Sequence, residues 1–260
     1  MIQTYLAATV QQLLLAYPQN RVINLVFHGH SVPAGYFATP VVNSLAAYPQ
    51  VLLSLLKQRF PFAVINAIVT AIGGENSEQG AARFSQALTH RPNVLCLDYG
   101  LNDRGIGLAR AKAAWSLMIE KALVLEAKVI LLTPTLDIGI ELEPNSPNSL
   151  ALQAHAQQIR DLALEYRIGL VDSFAIFSQQ PNLENILSWT NHPNEAGHGL
   201  LAAELLRFFA IIPSLFRYYA IRKKRGLLRT CQRRSLLILL LVGKFYELPQ
   251  FGITSLGGES

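Results

Sequence analysis

The sequence predicts an α/β protein: a three-layer α/β/α sandwich of flavodoxin-like layering around a five-stranded parallel sheet. Three observations lead there. Apolar runs of strand length alternate with longer segments of helical period between about residues 20 and 210. The runs are almost unbroken in apolar residues, as strands covered on both faces are. Polar, glycine-bearing turns follow the runs, and in open parallel sheets ligands bind beyond the carboxyl ends of the strands.

The elements follow in order. Residues 1–17 place Ile2, Tyr5, Leu6, Val10, Leu13, Leu14 and Tyr17 at helical spacing. The first basic residue is Arg21, so there is no positive n-region of a secretory signal, and an amphipathic helix is expected. Strands are predicted at Val22–Phe27, Ala63–Val69, Val94–Leu97, Val129–Leu132 and Gly169–Val171. Helices are predicted at roughly Pro40–Arg59, Glu78–Thr89, Leu108–Glu126, Asn148–Tyr166 and Glu195–Phe209. With 260 residues, one large domain is expected over 1–212.

Charge divides the chain. Residues 1–212 carry 13 Lys/Arg against 15 Asp/Glu, a net of −2; residues 213–260 carry 9 against 2, a net of +7, and together these give +5. The body has no basic stripe with interleaved aromatics, which argues against nucleic-acid recognition. The segment 213–260 reads as a basic, apolar tail that the domain does not need, expected to be poorly ordered, with weak contact to anionic membrane as its functional reading. Its apolar run Leu236–Val242 has 7 residues, far short of the roughly 20 that span a bilayer. The two cysteines, Cys96 and Cys231, form no disulfide framework, so a cytoplasmic setting is expected, with Cys96 a buried thiol.

The chemistry gathers at one edge of the predicted sheet. The first strand runs into Gly29-His30-Ser31, the second into Gly73-Gly74-Glu75-Asn76, the third into Gly100-Leu101-Asn102-Asp103, and the loop after the fifth holds Asn191-His192-Pro193. A serine hydroxyl attacks only when a base takes its proton, and His192 is the candidate base for Ser31. Acyl transfer also needs donors aimed at the developing oxyanion; the Ser31 and Gly74 N–H groups and the Asn102 amide are candidates. Asp103 is read as structural, fixing its loop or pairing with Arg104.

These four blocks, in this order and strand context, resemble the SGNH hydrolases, the GDSL-type esterases and lipases, over about residues 20–210. The resemblance implies an esterase acting on a short-chain acyl ester, a small ester or an acylated sugar, through an acyl-serine. It implies Ser31 as nucleophile, His192 as base, and an oxyanion hole of Ser31, Gly74 and Asn102, with no metal or organic cofactor. Two positions depart from the family pattern. The aspartate that ordinarily precedes the serine is His30. The triad acid, ordinarily three residues before the histidine, is replaced by Trp189. A backbone carbonyl near Trp189 is then expected to orient His192, with Asp172 and Glu195 as lesser candidates.

Two other readings stand beside this one. The pairs His28/His30 and His192/His198 would suit a metal-dependent deacylase, since an H-x-H pair on a strand points both rings one way. The altered blocks would also suit a catalytically weak or inactive domain that binds an acyl or glycan ligand.

Overall fold

The computed structural model describes residues 2–212; the tail expected at 213–260, with Cys231, lies outside the described residues. The strands are β1 (Val22–Gly29), β2 (Val64–Val69), β3 (Val94–Asp98), β4 (Lys128–Leu132) and β5 (Gly169–Val171). They form one sheet in the order β2-β1-β3-β4-β5, and every pairing is parallel. The α/β class and the five parallel strands are therefore as the sequence predicts.

The side chains explain the layers. Successive strand residues point to opposite faces. Phe27, Cys96 and Ile130 join one core with Tyr48, Leu52, Leu201 and Phe208. Val26, Leu95, Leu97 and Val129 join a second core with Phe84, Trp115, Met118 and Ile159. Each fully buried large apolar side chain stabilises the fold by about 1.5–3 kcal/mol, so a sheet with two apolar faces recruits helices to both. Helices Tyr48–Arg59 and Glu195–Arg207 cover the first face; Phe84–Thr89, Leu108–Val124 and Pro147–Glu165 cover the second. β3 is buried at all its positions, whereas the edge strand β2 exposes Val64 and Val69. Cys96 is buried as expected, and burial raises its thiol pKa.

Several helices differ from expectation. The helix predicted from Pro40 begins only at Tyr48. Residues 40–47 are drawn into other bonds: Asn43 N–H donates to Gly35 O, and Tyr36 bridges Val42. The segment 78–89 breaks at Arg83 into Ser77–Ala82 and Phe84–Thr89. The N-terminal helix breaks at Leu6 into Ile2–Tyr5 and Ala7–Leu13. Short helices at Ser31–Ala34, Gly139–Leu142 and Ser173–Ser178 have too few residues for a periodic signal.

The strand order fixes where a site can form. From β1 the chain goes to β2 on one side and then to β3 on the other. That reversal opens a crevice outside the carboxyl ends of β1 and β3. Ser31 follows β1, and Asn102 follows β3.

Candidate active site

Ser31 is the first residue of a single helical turn, Ser31–Ala34, closed by Gly35 in the left-handed conformation. The turn is pressed against β3: His30 N–H donates to Asp98 O at 3.1 Å. Only glycine fits before it, because a Cβ on Gly29 would collide with the Asp98 carbonyl and stand 2.7 Å from the Pro33 ring. Strand β1 thus delivers the serine at a tight bend, and Ser31 itself is 7% exposed.

His192 sits in the loop before helix Glu195–Arg207. Ser188 N–H donates to His192 O at 2.8 Å, Leu187 bridges Pro193, and Asn194 caps the helix through Gly197 N–H at 3.1 Å. The loop brings the imidazole back over the sheet edge. Its Nε2 lies 2.9 Å from Ser31 Oγ, and its Nδ1 lies 2.7 Å from Phe37 O. A carbonyl can only accept, so Nδ1 carries the proton and Nε2 presents its lone pair to the serine hydroxyl. Burial holds the His192 pKa below the ordinary imidazole range, opposed by the bond to the Phe37 carbonyl and reinforced by the nearby His30 ring.

The group that orients His192 is therefore a backbone carbonyl, but that of Phe37 rather than one near Trp189. Trp189 is 53% exposed. No carboxylate contacts His192 among the described residues. Asp172 is committed elsewhere: Arg160 holds it at 2.8 and 2.9 Å, Thr133 Oγ1 donates to it, and it caps helix Ser173–Ser178. Glu195 belongs to the first turn of its own helix.

The candidate oxyanion donors lie on the neighbouring turns. Asn102 Nδ2 donates to Glu75 O at 2.9 Å, which ties the β3 turn to the β2 turn and leaves the amide its second N–H. Gly74 holds φ +81°, a left-handed conformation that side chains resist, and a Cβ there would meet nothing within 4 Å. The Ser31 and Gly74 N–H groups have no acceptor among the described residues. Asp103 has a structural place, accepting Ser77 N–H and Trp115 Nε1–H at 2.7 Å each. Arg104 pairs with Asp137 at 2.6 Å rather than with Asp103.

The histidine pairs do not converge. His28 turns toward the second core, with Nδ1 2.8 Å from Thr70 Oγ1, Nε2 3.0 Å from Gly80 O, and Phe84 and Tyr99 against its ring. His30 turns the other way, toward Asp98, which Tyr48 of the first core also meets. The strand has ended between them, so the two rings do not share a face. His198 accepts from Tyr48 N–H at 3.2 Å and packs on Phe37. No group of three or more metal-capable side chains is present among the described residues.

Two participants escaped the sequence. Phe37 O carries no residue-specific signal, because any residue has a carbonyl. Asp98 did leave one: a carboxylate ending the otherwise apolar strand VLCLD. It is 4% exposed, with Oδ1 3.3 Å from His30 Nε2 and Oδ2 accepting from Tyr48 OH at 3.3 Å.

Comparison with known proteins bears on the fold and the family. No curated protein matches the sequence. An acetyl xylan esterase from Geobacillus stearothermophilus shares the fold at a TM-score of 0.63 and 22% identity, over 73% of this chain and 96% of that one. Variants of that enzyme with a serine, an aspartate or a histidine replaced by alanine are described as catalytic mutants. An alpha/beta hydrolase enzyme from the metagenome of Lake Arreo, Spain, aligns at a TM-score of 0.60 and 20% identity, over 76% and 97% of the two chains. The model of the GDSL-like Lipase/Acylhydrolase family matches residues 27–200, more than half of the chain, and includes all four blocks. The chain therefore belongs to the GDSL-like lipase/acylhydrolase family and is an ester hydrolase of the SGNH type.

Proposed function

We propose that this esterase cleaves a short-chain acyl ester, a small ester or an acylated sugar, through an acyl-Ser31 intermediate, with Ser31 and His192 acting as a dyad. The observation that carries the reading is the chain Ser31 Oγ, His192 Nε2, His192 Nδ1–H, Phe37 O, at 2.9 and 2.7 Å. Ser31 Oγ attacks the acyl carbonyl as its proton passes to Nε2. The oxyanion is met by the N–H groups of Ser31 and Gly74 and by the Asn102 amide. The imidazolium then gives the proton to the departing alkoxide. Water repeats the sequence on the acyl-serine, and Ser31 is restored.

Phe37 O holds the imidazole in the required tautomer, as an aspartate would, but without full negative charge. The imidazolium is thus less stabilised than in a triad, and the dyad works with a smaller electrostatic contribution. Support for a small acyl group comes from Tyr36, whose ring lies 6.2 Å from that of His192 and packs on Gly73 so closely that a Cβ there would stand 2.9 Å away. The structural neighbours named as acetyl xylan and acetyl-xylooligosaccharide esterases make acetylated sugars the first substrates to try.

The test is a panel of p-nitrophenyl esters of rising chain length and of acetylated sugars, read as kcat/KM. Wild type is expected to favour acetyl and to lose activity with longer acyl groups. Ser31→Ala is expected to fall by about 10⁴-fold or more. Undiminished turnover in Ser31→Ala would defeat the nucleophile assignment.

A further inference from the structure

Ser31 Oγ faces a second imidazole. His30 Nδ1 lies 3.2 Å from it, against 2.9 Å for His192 Nε2. Val32 N–H donates to the same Nδ1 at 3.3 Å, so that nitrogen carries the lone pair and the His30 proton resides on Nε2. Nε2 in turn lies 3.3 Å from Asp98 Oδ1, in ion-pair reach though without the alignment of a hydrogen bond. The ring is 1% exposed and the carboxylate residue 4%, and Tyr48 OH anchors the other carboxylate oxygen. Serine, imidazole and carboxylate thus come within reach of one another, at the position where the family pattern has an aspartate.

We propose that His30, backed by Asp98, is a second general base for Ser31. The inference rests on the reading of Ser31 as nucleophile. When the Oγ–H bond breaks toward His30, the proton moves to Nδ1 and the new imidazolium faces a carboxylate, a compensation that His192 lacks. The Oγ–acyl bond forms, and the bond from the acyl carbon to the leaving oxygen breaks with its electron pair. His30 is too enclosed to protonate the leaving group, so this route suits a leaving group stable as an anion. In deacylation, water supplies its oxygen to the acyl carbon and its proton to solvent, and Ser31 Oγ takes back the proton held on His30. His192, closer to Oγ and half-buried, remains the base for alcohols that must leave protonated.

The two bases separate in a His192→Ala background with p-nitrophenyl acetate, whose p-nitrophenolate departs without a proton. The readout is the burst of p-nitrophenolate, one equivalent per chain, and its rate. His192→Ala is expected to keep a slow burst. Adding His30→Asn, which can still accept Val32 N–H at the start of the turn, is expected to slow that burst about tenfold or more. Adding Asp98→Asn instead is expected to slow it severalfold, and this variant decides the matter if His30→Asn does not fold. Adding Ser31→Ala is expected to remove the burst. Equal burst rates in His192→Ala and in both double variants would overturn the proposal while leaving the nucleophile reading intact. A wild type that neither turns over p-nitrophenyl acetate nor reacts with a serine-directed phosphonate would overturn the nucleophile reading and this proposal together.

Discussion

His28 and His192 both lie below the ordinary imidazole range because burial disfavours their charged forms. They differ in what their nitrogens face. His28 is enclosed in the second core, with one nitrogen on the Thr70 hydroxyl and the other on the Gly80 carbonyl. His192 spends one nitrogen on Phe37 O and turns the other to a serine hydroxyl at an open strand end. Desolvation alone therefore does not mark a functional histidine. The mark is an imidazole whose tautomer is fixed from behind and whose free lone pair meets a nucleophile. The same contrast explains why His192 belongs to a loop that can be spared from the core, and His28 to a strand that cannot.

The sharpest way to break the contrast is His192→Ala. It is expected to lower kcat/KM for an unactivated acetyl ester by about 10³-fold or more, with little change in the urea midpoint. Comparable destabilisation would place His192 with His28. Next in size is Asn102→Ala, expected to lower kcat by about 10²-fold if the amide meets the oxyanion. An effect on KM alone would make Asn102 a brace between the two turns through Glu75 O and nothing more.

Acid separates the histidines by readout. The folded-state pKa of His28 is lowered to about 4 and that of His198 to about 3, against about 6.5 in the unfolded chain. Between those limits the unfolded chain binds protons that the folded chain does not. Stability is thus complete above about pH 6.5 and falls as the pH drops toward 4, by at most about 1.4 kcal/mol per pH unit for each group. Urea midpoints from pH 7 to 4.5 check this, and a flat profile would contradict the enclosure of His28. The acid limb of kcat/KM reports His192 instead. Because its pKa is lowered, the neutral base persists and the limb falls below the usual imidazole range.

The smallest expected effect is Trp189→Asp. His192 Nδ1 is already satisfied by Phe37 O, and position 189 is half exposed. Placing a carboxylate there is expected to change kcat/KM by less than about threefold, under 1 kcal/mol of barrier. A gain of tenfold or more would mean that the carbonyl is readily displaced and that the loop holding His192 can still accommodate a triad.

Much of this molecule was legible in its residues. The apolar runs from Val22, Ala63, Val94, Val129 and Gly169 specified five parallel strands, because short apolar runs separated by helical segments pack as a sheet covered on both faces, although the edge strand β2 leaves Val64 and Val69 exposed. The helix patterns were clear where they ran long, as at Leu108–Val124, and misleading where turn bonding prevailed, as over residues 40–47. Ser31, Gly74, Asn102 and His192 were legible because glycine turns and polar side chains at strand ends have few other uses in an apolar sheet. The pairing of His192 with Ser31 was legible too; the carbonyl of Phe37 behind the imidazole was not.

The sequence by itself determined the sheet, the edge at which chemistry gathers, and the absence of an aspartate at position 189. Only the tertiary structure decided what replaces that aspartate. A peptide carbonyl is common to every residue, so nothing in the string distinguishes Phe37 O as the acceptor for an imidazole 155 positions away. The partnership of His30 with Asp98 likewise exists only once β1 and β3 lie side by side, with Gly29 opposite Asp98. Hydrogen bonding is short-ranged and directional, and which groups fall within 3 Å is set by packing rather than by order along the chain.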